Sequence, residues 1–166
     1  MSIKLVIFDV DGVLTDGKLY FSAQGDTLKA FNTQDGLGIK MLMSVGIQTA
    51  IISGRTSDIV KARAKELGIT YLYEGYVNKV SAFEACLKAA NLTAEEVAYM
   101  GDDINDLPVL QKVALSAAPP NAIQEVLEAV TFITERSGGD GAARELCDFI
   151  LKTQNVWNEA IKAYGL

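Results

Sequence analysis

Short apolar runs alternate with amphipathic stretches along this chain. Ile3–Phe8, Gln48–Ile52, Val97–Met100 and Val113–Leu115 are dominated by apolar residues without strict alternation, the pattern of strands covered on both faces. Tyr71–Tyr73 and Thr131–Ile133 are weaker strand candidates. Helical spacing falls between them, over about Gly36–Val45, Ser57–Leu67, Lys79–Ala90, Asn105–Lys112, Ala122–Ala129 and Gly141–Thr153. Asn78 stands where it can cap the third helix, and Asn121 with Gln124 and Thr93 with Glu96 have the spacing of capping boxes. Gly46 and Gly68 stand where helices should stop. Strands alternating with helices predict an α/β fold: a doubly wound, mostly parallel sheet with helices on both faces.

Two segments depart from that rhythm. Lys18–Phe31 reads as two short strands around Gln24-Gly25-Asp26, a β-hairpin inserted after the first strand. A lone hairpin is marginal in water, so this one is expected to lie against the core or another subunit. Asn155–Leu166, with Trp157 and Tyr164, reads equally as a docking tail or a surface helix. No repeat or linker interrupts the 166 residues, which predicts one domain over 1–166.

Composition narrows the chemistry. With 49% hydrophobic residues the chain has ample material for a core, and a formal charge of -6 argues against a nucleic-acid backbone as main partner. The absence of histidine excludes Ser-His-Asp triads, phosphohistidine enzymes and histidine-ligated zinc. Cys86 and Cys147 lie inside helical patterns, and neither opens a C-x5-R phosphatase loop, because Leu92 and Thr153 stand where arginine is needed. They read as core residues in a reducing compartment. The first apolar run is broken by Asp9, too short for a signal peptide or membrane span, so a cytoplasmic location is expected.

The first run ends in Asp9 and Asp11, followed by Gly12. Buried carboxylates are costly unless something positive meets them. In a doubly wound sheet, ligands bind beyond the carboxyl ends of the strands. Ser53-Gly54-Arg55 follows the second main strand, Lys79 opens the third helix, and Gly101-Asp102-Asp103 follows Val97–Met100, with Asp106 a turn on. Alternation would place Asp9 and Asp11 on one side of an extended chain. Acids gathered with oxygen ligands alone suit Mg2+. Arg55, Lys79 and Arg63, with Ser53 and the N–H groups near Gly12 and Gly54, suit a phosphoryl group beside it. Asp9 then reads as a nucleophile and Asp11 as a proton carrier. Asp103 reads equally as a metal-site residue or a helix cap, and Arg63 and Lys40 equally as solvated helix cations. Ser137–Gly141 lacks the ending of a nucleotide P-loop and reads as a loop opening the last helix.

In order, D-V-D-G-V-L-T, I-S-G-R, N-K and G-D-D-I-N-D resemble the four motifs of the haloacid dehalogenase-like phosphatases. The resemblance implies that Asp9 is the nucleophile and Asp11 the acid/base, whose backbone oxygen also binds Mg2+. Ser53 and Lys79 would hold the phosphoryl group, and Asp102 would complete the metal site, with Asp103 or Asp106 acting through water. Further stretches, D-G-K-L-Y, A-F-N-T-Q-D-G-L-G-I-K, Y-L-Y-E-G-Y-V-N-K and G-G-D-G-A-A-R-E, extend the resemblance to the branch acting on 3-deoxy-D-manno-octulosonate (KDO) 8-phosphate. That branch is capless and tetrameric and serves lipopolysaccharide synthesis. It implies substrate contacts at Asn32, Thr33, Gln34, Asp35, Gly36, Lys40, Gly54, Arg55, Arg63 and Lys79. Gln34 and Asp140 stand where the branch often has basic residues. Only Gly17–Ile52 separates the first two motifs, which leaves no room for a lid beyond the hairpin and one helix. An open site predicts help from a neighbouring copy. Two alternatives use the same residues: a phosphatase for a nine-carbon sugar acid 9-phosphate or another small phosphate, and a phospho-accepting receiver domain. Arg55 favours the eight-carbon sugar. The Asp-x-Asp after the first strand speaks against a receiver, whose phosphorylated aspartate follows a middle strand.

Overall fold

A computed structural model describes residues 1–166. Its central sheet is parallel and six-stranded, in the order β5-β4-β1-β6-β7-β8. The strands are β1 (Leu5–Phe8), β4 (Gln48–Ile52), β5 (Tyr71–Tyr73), β6 (Val97–Met100), β7 (Leu115–Ala118) and β8 (Phe132–Ile133). From β1 the chain winds outward through β4 to β5, then returns to β1's other edge and winds outward again through β6, β7 and β8. In register, Phe8 is flanked by Ile51 and Met100, so the ends of β1, β4 and β6 lie side by side where the winding reverses. This is the crevice where open α/β sheets bind ligands.

The helices are α1 (Thr33–Ser44), α2 (Asp58–Leu67), α3 (Lys79–Ala90), α4 (Leu107–Leu110), α5 (Gln124–Ala129), α6 (Ala142–Thr153) and α7 (Trp157–Ile161). Alternate residues of each strand enter opposite cores. Val6, Phe8, Ala98 and Met100 pack with Ile39, Leu42, Val60, Leu146 and Ile150 of α1, α2 and α6. Leu5, Ile7, Val97 and Tyr99 pack with Phe83, Cys86, Val109 and Val126 of α3, α4 and α5. Both faces are covered, which is why β1 reads as unbroken hydrophobic sequence.

The doubly wound fold and five of the six expected main strands lie where the hydrophobic pattern puts them, while β7 is displaced. It was expected over Val113–Leu115, but Ala114 N–H is turned toward the carbonyls of Ala94 and Val97, and pairing begins at Leu115. Its remaining residues, Ser116, Ala117 and Ala118, are small, buried and weak in strand propensity. α1 starts at Thr33 because Asn32 Oδ1 accepts from Gln34 N (2.8 Å) and Asp35 N (3.3 Å), before the apolar periodicity begins. The Thr93–Glu96 box forms, on a single 3₁₀ turn. The Asn121–Gln124 box does not. Ile123 occupies the N-cap position of α5 without a side-chain bond, and Asn121 is drawn away to join two loops at the site. Asn155–Leu166 folds back on its own chain, with Ala160 buried and Val156, Trp157 and Ile161 packed on the α1/α6 core. The hairpin forms as β2 (Tyr20–Ser22) and β3 (Gly25–Leu28), a separate two-stranded sheet with a bulge at Tyr20/Phe21; its turn is Ala23-Gln24 rather than Gln24-Gly25-Asp26, because Gly25 and Asp26 already pair with Ser22 and Phe21. No helix is long and apolar enough to cross a membrane.

Candidate active site

Asp9 follows the last residue of β1, in the centre of the crevice. Its N–H is held by Met100 O (3.0 Å), and its Oδ1 accepts from Val10 N (2.7 Å). Lys79, the first residue of α3, is fixed in position by the Asn78 cap, whose Oδ1 accepts from Val80 N. Its side chain is 1% exposed, with Nζ 3.0 Å from Asp9 Oδ1 and 2.8 Å from Asp106 Oδ1. Asp106 is fully committed within the chain. Its Oδ1 also accepts from Tyr99 O–H (2.6 Å), and its Oδ2 accepts from Asp102 N (2.9 Å) and Asp103 N (3.1 Å). It therefore shapes the loop after β6 and anchors Lys79. The adjacent Gly101 is required, because a Cβ there would overlap the Asp106 carboxylate.

Carboxylate oxygens of Asp9, Asp102 and Asp106 lie within 4.8 Å of one another. Burial raises the pKa of Asp9 well above the usual carboxylate range; Asp106 adds to the rise and Lys79 opposes it. Burial likewise pushes Asp102 up to about 6, against a hydrogen bond with Asp9. For Lys79, burial pulls downward, but Asp9 and Asp106 more than offset it and the net shift is upward. A single ammonium serves three acids, so the cluster is short of positive charge.

The chain does not continue extended to Asp11. Val13, Leu14 and Thr15 N–H groups all turn back to Val10 O, and this turn rather than strand alternation delivers Asp11 to the cleft. Gly12 N–H is occupied by Thr15 Oγ1 (3.3 Å), so it is not a free donor for a ligand as the sequence suggested. Gly12 has φ +86°, and a Cβ there would collide with the Asp102 carboxylate. Asn121 braces this turn by donating to Gly12 O (2.9 Å) and accepting from Gly138 N (2.8 Å). The glycine-rich loop thus opens α6, as expected, and also backs the Asp9–Asp11 turn.

Asp9, Asp11, Gly17, Ser53, Gly54, Arg55, Lys79, Asp102, Asp103 and Asn105 line a cleft of about 210 Å3 without an apolar residue. Beside it, Phe21, Gln24, Gly25 and Asp26 of the hairpin face Arg55–Ile59 across a second cleft of about 310 Å3. Arg55 borders both. Asp103 serves as cap of the turn Ile104–Asp106, with Oδ1 accepting from Ile104 N (2.7 Å).

The sequence-derived substrate residues divide into two groups. Gly54, Arg55 and Lys79 line the acidic cleft. Asn32, Thr33, Gln34, Asp35, Gly36, Lys40 and Arg63 do not. Asn32 is a helix cap. Asp35 is buried, and its Oδ1 accepts from Arg144 N (2.9 Å) at the start of α6, so it ties two helices together. The Gln34 carbonyl accepts from Arg144 Nη1 (3.3 Å). Arg63 lies over the Phe31 ring (5.4 Å) and shares a shallow groove with Thr33, Gly36 and Lys40. Sequence reasoning missed Tyr99, Asn105, Asn121 and Lys29. Asn105 could have been found within G-D-D-I-N-D; the other three carry no motif.

A buried carboxylate at the end of β1, a buried lysine beside it and an acid pair after β6, on this topology, are the arrangement of a haloacid dehalogenase-like hydrolase. The model of that family, haloacid dehalogenase-like hydrolase, matches residues 69–146. The chain is 45% identical over 159 residues to the 3-deoxy-D-manno-octulosonate 8-phosphate phosphatase KdsC of Escherichia coli K12, covering 96% of this chain and 85% of that protein. It therefore belongs to the KDO 8-phosphate phosphatase family. The Yersinia pestis phosphatase structure superposes with a TM-score of 0.91 at 44% identity, covering 94% of this chain and 84% of that one. The Moraxella catarrhalis enzyme, solved with magnesium, phosphate and KDO, gives 0.93 at 40% identity, covering 98% and 93%.

Proposed function

We propose that the chain hydrolyses KDO 8-phosphate to KDO and inorganic phosphate, as a Mg2+-dependent phosphomonoesterase in lipopolysaccharide precursor synthesis. The observation that carries this reading is the Asp9–Lys79–Asp102 cluster: a carboxylate and a fixed ammonium at one edge of a wholly polar cleft, with excess negative charge. That excess fits a hard cation. Asp9, Asp102 and the backbone oxygen of Asp11 would hold Mg2+; Asp103, which lines the same cleft, would act through water, whereas Asp106 has no free oxygen to offer. When bound, Mg2+ supplies charge neutralisation between Asp9 and an incoming phosphate.

Asp9 attacks phosphorus as the ester bond to the sugar oxygen breaks, giving an aspartyl-phosphate. Asp11 passes a proton to the departing oxygen, then takes one from the water that hydrolyses the intermediate. Lys79 and Ser53 hold phosphoryl oxygens. The sugar acid lies toward the hairpin cleft, where Arg55 offers a fork for its carboxylate. The protein works in the cytoplasm as a homo-oligomer, we infer a tetramer. Leu19, Tyr20, Phe21 and Leu28 leave an apolar hairpin exposed, which favours burial against other copies. Such packing is also the route by which Lys40 and Arg63 reach a substrate.

The direct test is phosphate release from KDO 8-phosphate with and without Mg2+, beside a panel of unrelated sugar phosphates. Turnover is expected only with metal and to favour KDO 8-phosphate by at least about tenfold. Equal turnover across the panel overturns the substrate assignment. The acid cluster also predicts a pH-dependent response to metal. Asp102 holds its proton to about 6 in the fold, against 3.8 for an ordinary aspartate. The metal-free fold binds more protons than the unfolded chain in that window, so this contribution to stability is present below it and lost as pH rises through it. Mg2+ favours the ionised carboxylates. Added Mg2+ should therefore raise the Tm more at pH 7.5 than at pH 5, measured by differential scanning fluorimetry.

A further inference from the structure

We infer that Lys29 positions the Asp11 carboxylate for proton transfer, so that the hairpin is part of the catalytic apparatus; this rests on the phosphomonoesterase reading above. Lys29 directly follows β3. Leu28 before it is 55% exposed, yet the Lys29 side chain is only 2% exposed. A buried ammonium is costly unless paired. Its partners are Asp11 Oδ1 at 3.0 Å and, three residues back in the hairpin, Asp26 Oδ2 at 3.7 Å. Asp26 Oδ1 in turn stands 4.0 Å from Arg55 Nη2, and Arg55 lies over Phe21 at 5.9 Å. Alternating charges thus run from Asp11 through Lys29 and Asp26 to Arg55, which borders the cleft proposed for the sugar.

The hairpin pairs with no strand of the central sheet, and these contacts tie it to the site. Lys29 is also the one hydrogen-bond partner of the Asp11 side chain within the chain; it occupies Oδ1, no bond within the chain engages Oδ2, and Asp11 lines the cleft. As the bond from Asp9 to phosphorus forms and the bond to the sugar oxygen breaks, the Asp11 proton moves to that oxygen. Asp11 is left as a carboxylate, whose charge Lys29 meets. A lysine that only stapled the hairpin would affect every substrate alike. One that positions the proton donor matters only when the leaving group needs a proton.

The test compares kcat/KM for KDO 8-phosphate, whose sugar alkoxide needs protonation, with that for p-nitrophenyl phosphate, whose phenolate does not. This parameter reports steps up to ester cleavage and not hydrolysis of the aspartyl-phosphate. K29M should lower it about 100-fold for the sugar phosphate and less than about threefold for the aryl phosphate. K29R, which keeps a cation beside Asp11, should retain most of the rate on the sugar phosphate. Equal losses on both substrates, no loss on either, or a K29R chain as slow as K29M on the sugar phosphate overturns the inference. Should K29M not fold, K29Q gives the same comparison. A wild-type chain that releases no phosphate from KDO 8-phosphate instead strikes at the parent reading.

Discussion

Asp9→Asn should lower phosphate release from KDO 8-phosphate by at least about 1,000-fold while leaving the fold intact. The amide matches the carboxylate in size and can still accept from Val10 N–H, but it cannot attack phosphorus. The stability half of the expectation follows from electrostatics. Asp9 is a buried acid whose ionised form is disfavoured by burial and by Asp106, and Lys79 keeps Asp106 as a partner when Asp9 is neutralised. The metal-free variant should thus melt no lower than wild type at pH 7.5. Acid-quenched wild type incubated with substrate should carry phosphate on the protein, and the variant should not. Normal turnover in Asp9→Asn would refute the covalent mechanism. A variant that is inactive because it has unfolded would refute the electrostatic account of Asp9.

What the sequence disclosed and what it hid differ for physical reasons. Motif residues were legible because strand ends point to one edge of a parallel sheet, so Asp9, Ser53 and Asp102 could be placed together without coordinates. The β1 run was legible because both its faces are covered. The sequence misplaces β7 because Ser116, Ala117 and Ala118 are small, and small residues carry little strand signal. Asn121 was misread because its local spacing fits a cap, while two loops distant in sequence compete for the same side chain. Asp35 came to the site by resemblance and Arg63 by its charge as well, yet within one chain Asp35 ties α1 to α6 and Arg63 rests on Phe31. Lys29 was hidden because a lysine in an exposed hairpin reads as solvated, and only the fold shows that its ammonium is enclosed by Asp11 and Asp26. Tyr99 was hidden because its apolar neighbours explain its burial, though its hydroxyl holds Asp106.

The second large effect should come from Lys79→Met, and it separates structure from catalysis. The ammonium sits between two carboxylates and is almost wholly enclosed. Replacing both members of such a pair with apolar groups is often harmless, but removing one partner leaves buried charge unmet and costs about 3–5 kcal/mol. For a chain of this size each kcal/mol shifts the Tm by about 2–4 °C, so the metal-free variant should melt at least about 6 °C below wild type at pH 7.5. Two conditions should shrink that deficit. Lowering the pH to 5 lets Asp102, whose pKa is pushed up to about 6, take up its proton and lessens the negative charge of the cluster. Mg2+ supplies the missing positive charge, so its stabilising increment at pH 7.5 should exceed that in wild type. Activity should not return with stability. Mg2+ can offset the charge on Asp9, but on the proposed mechanism it would not replace the donor that Lys79 would present to a phosphoryl oxygen from the start of α3. A metal-free Lys79→Met as stable as wild type would mean that Asp9 is already protonated in the resting fold, and the nucleophile would then need metal binding to be formed at all.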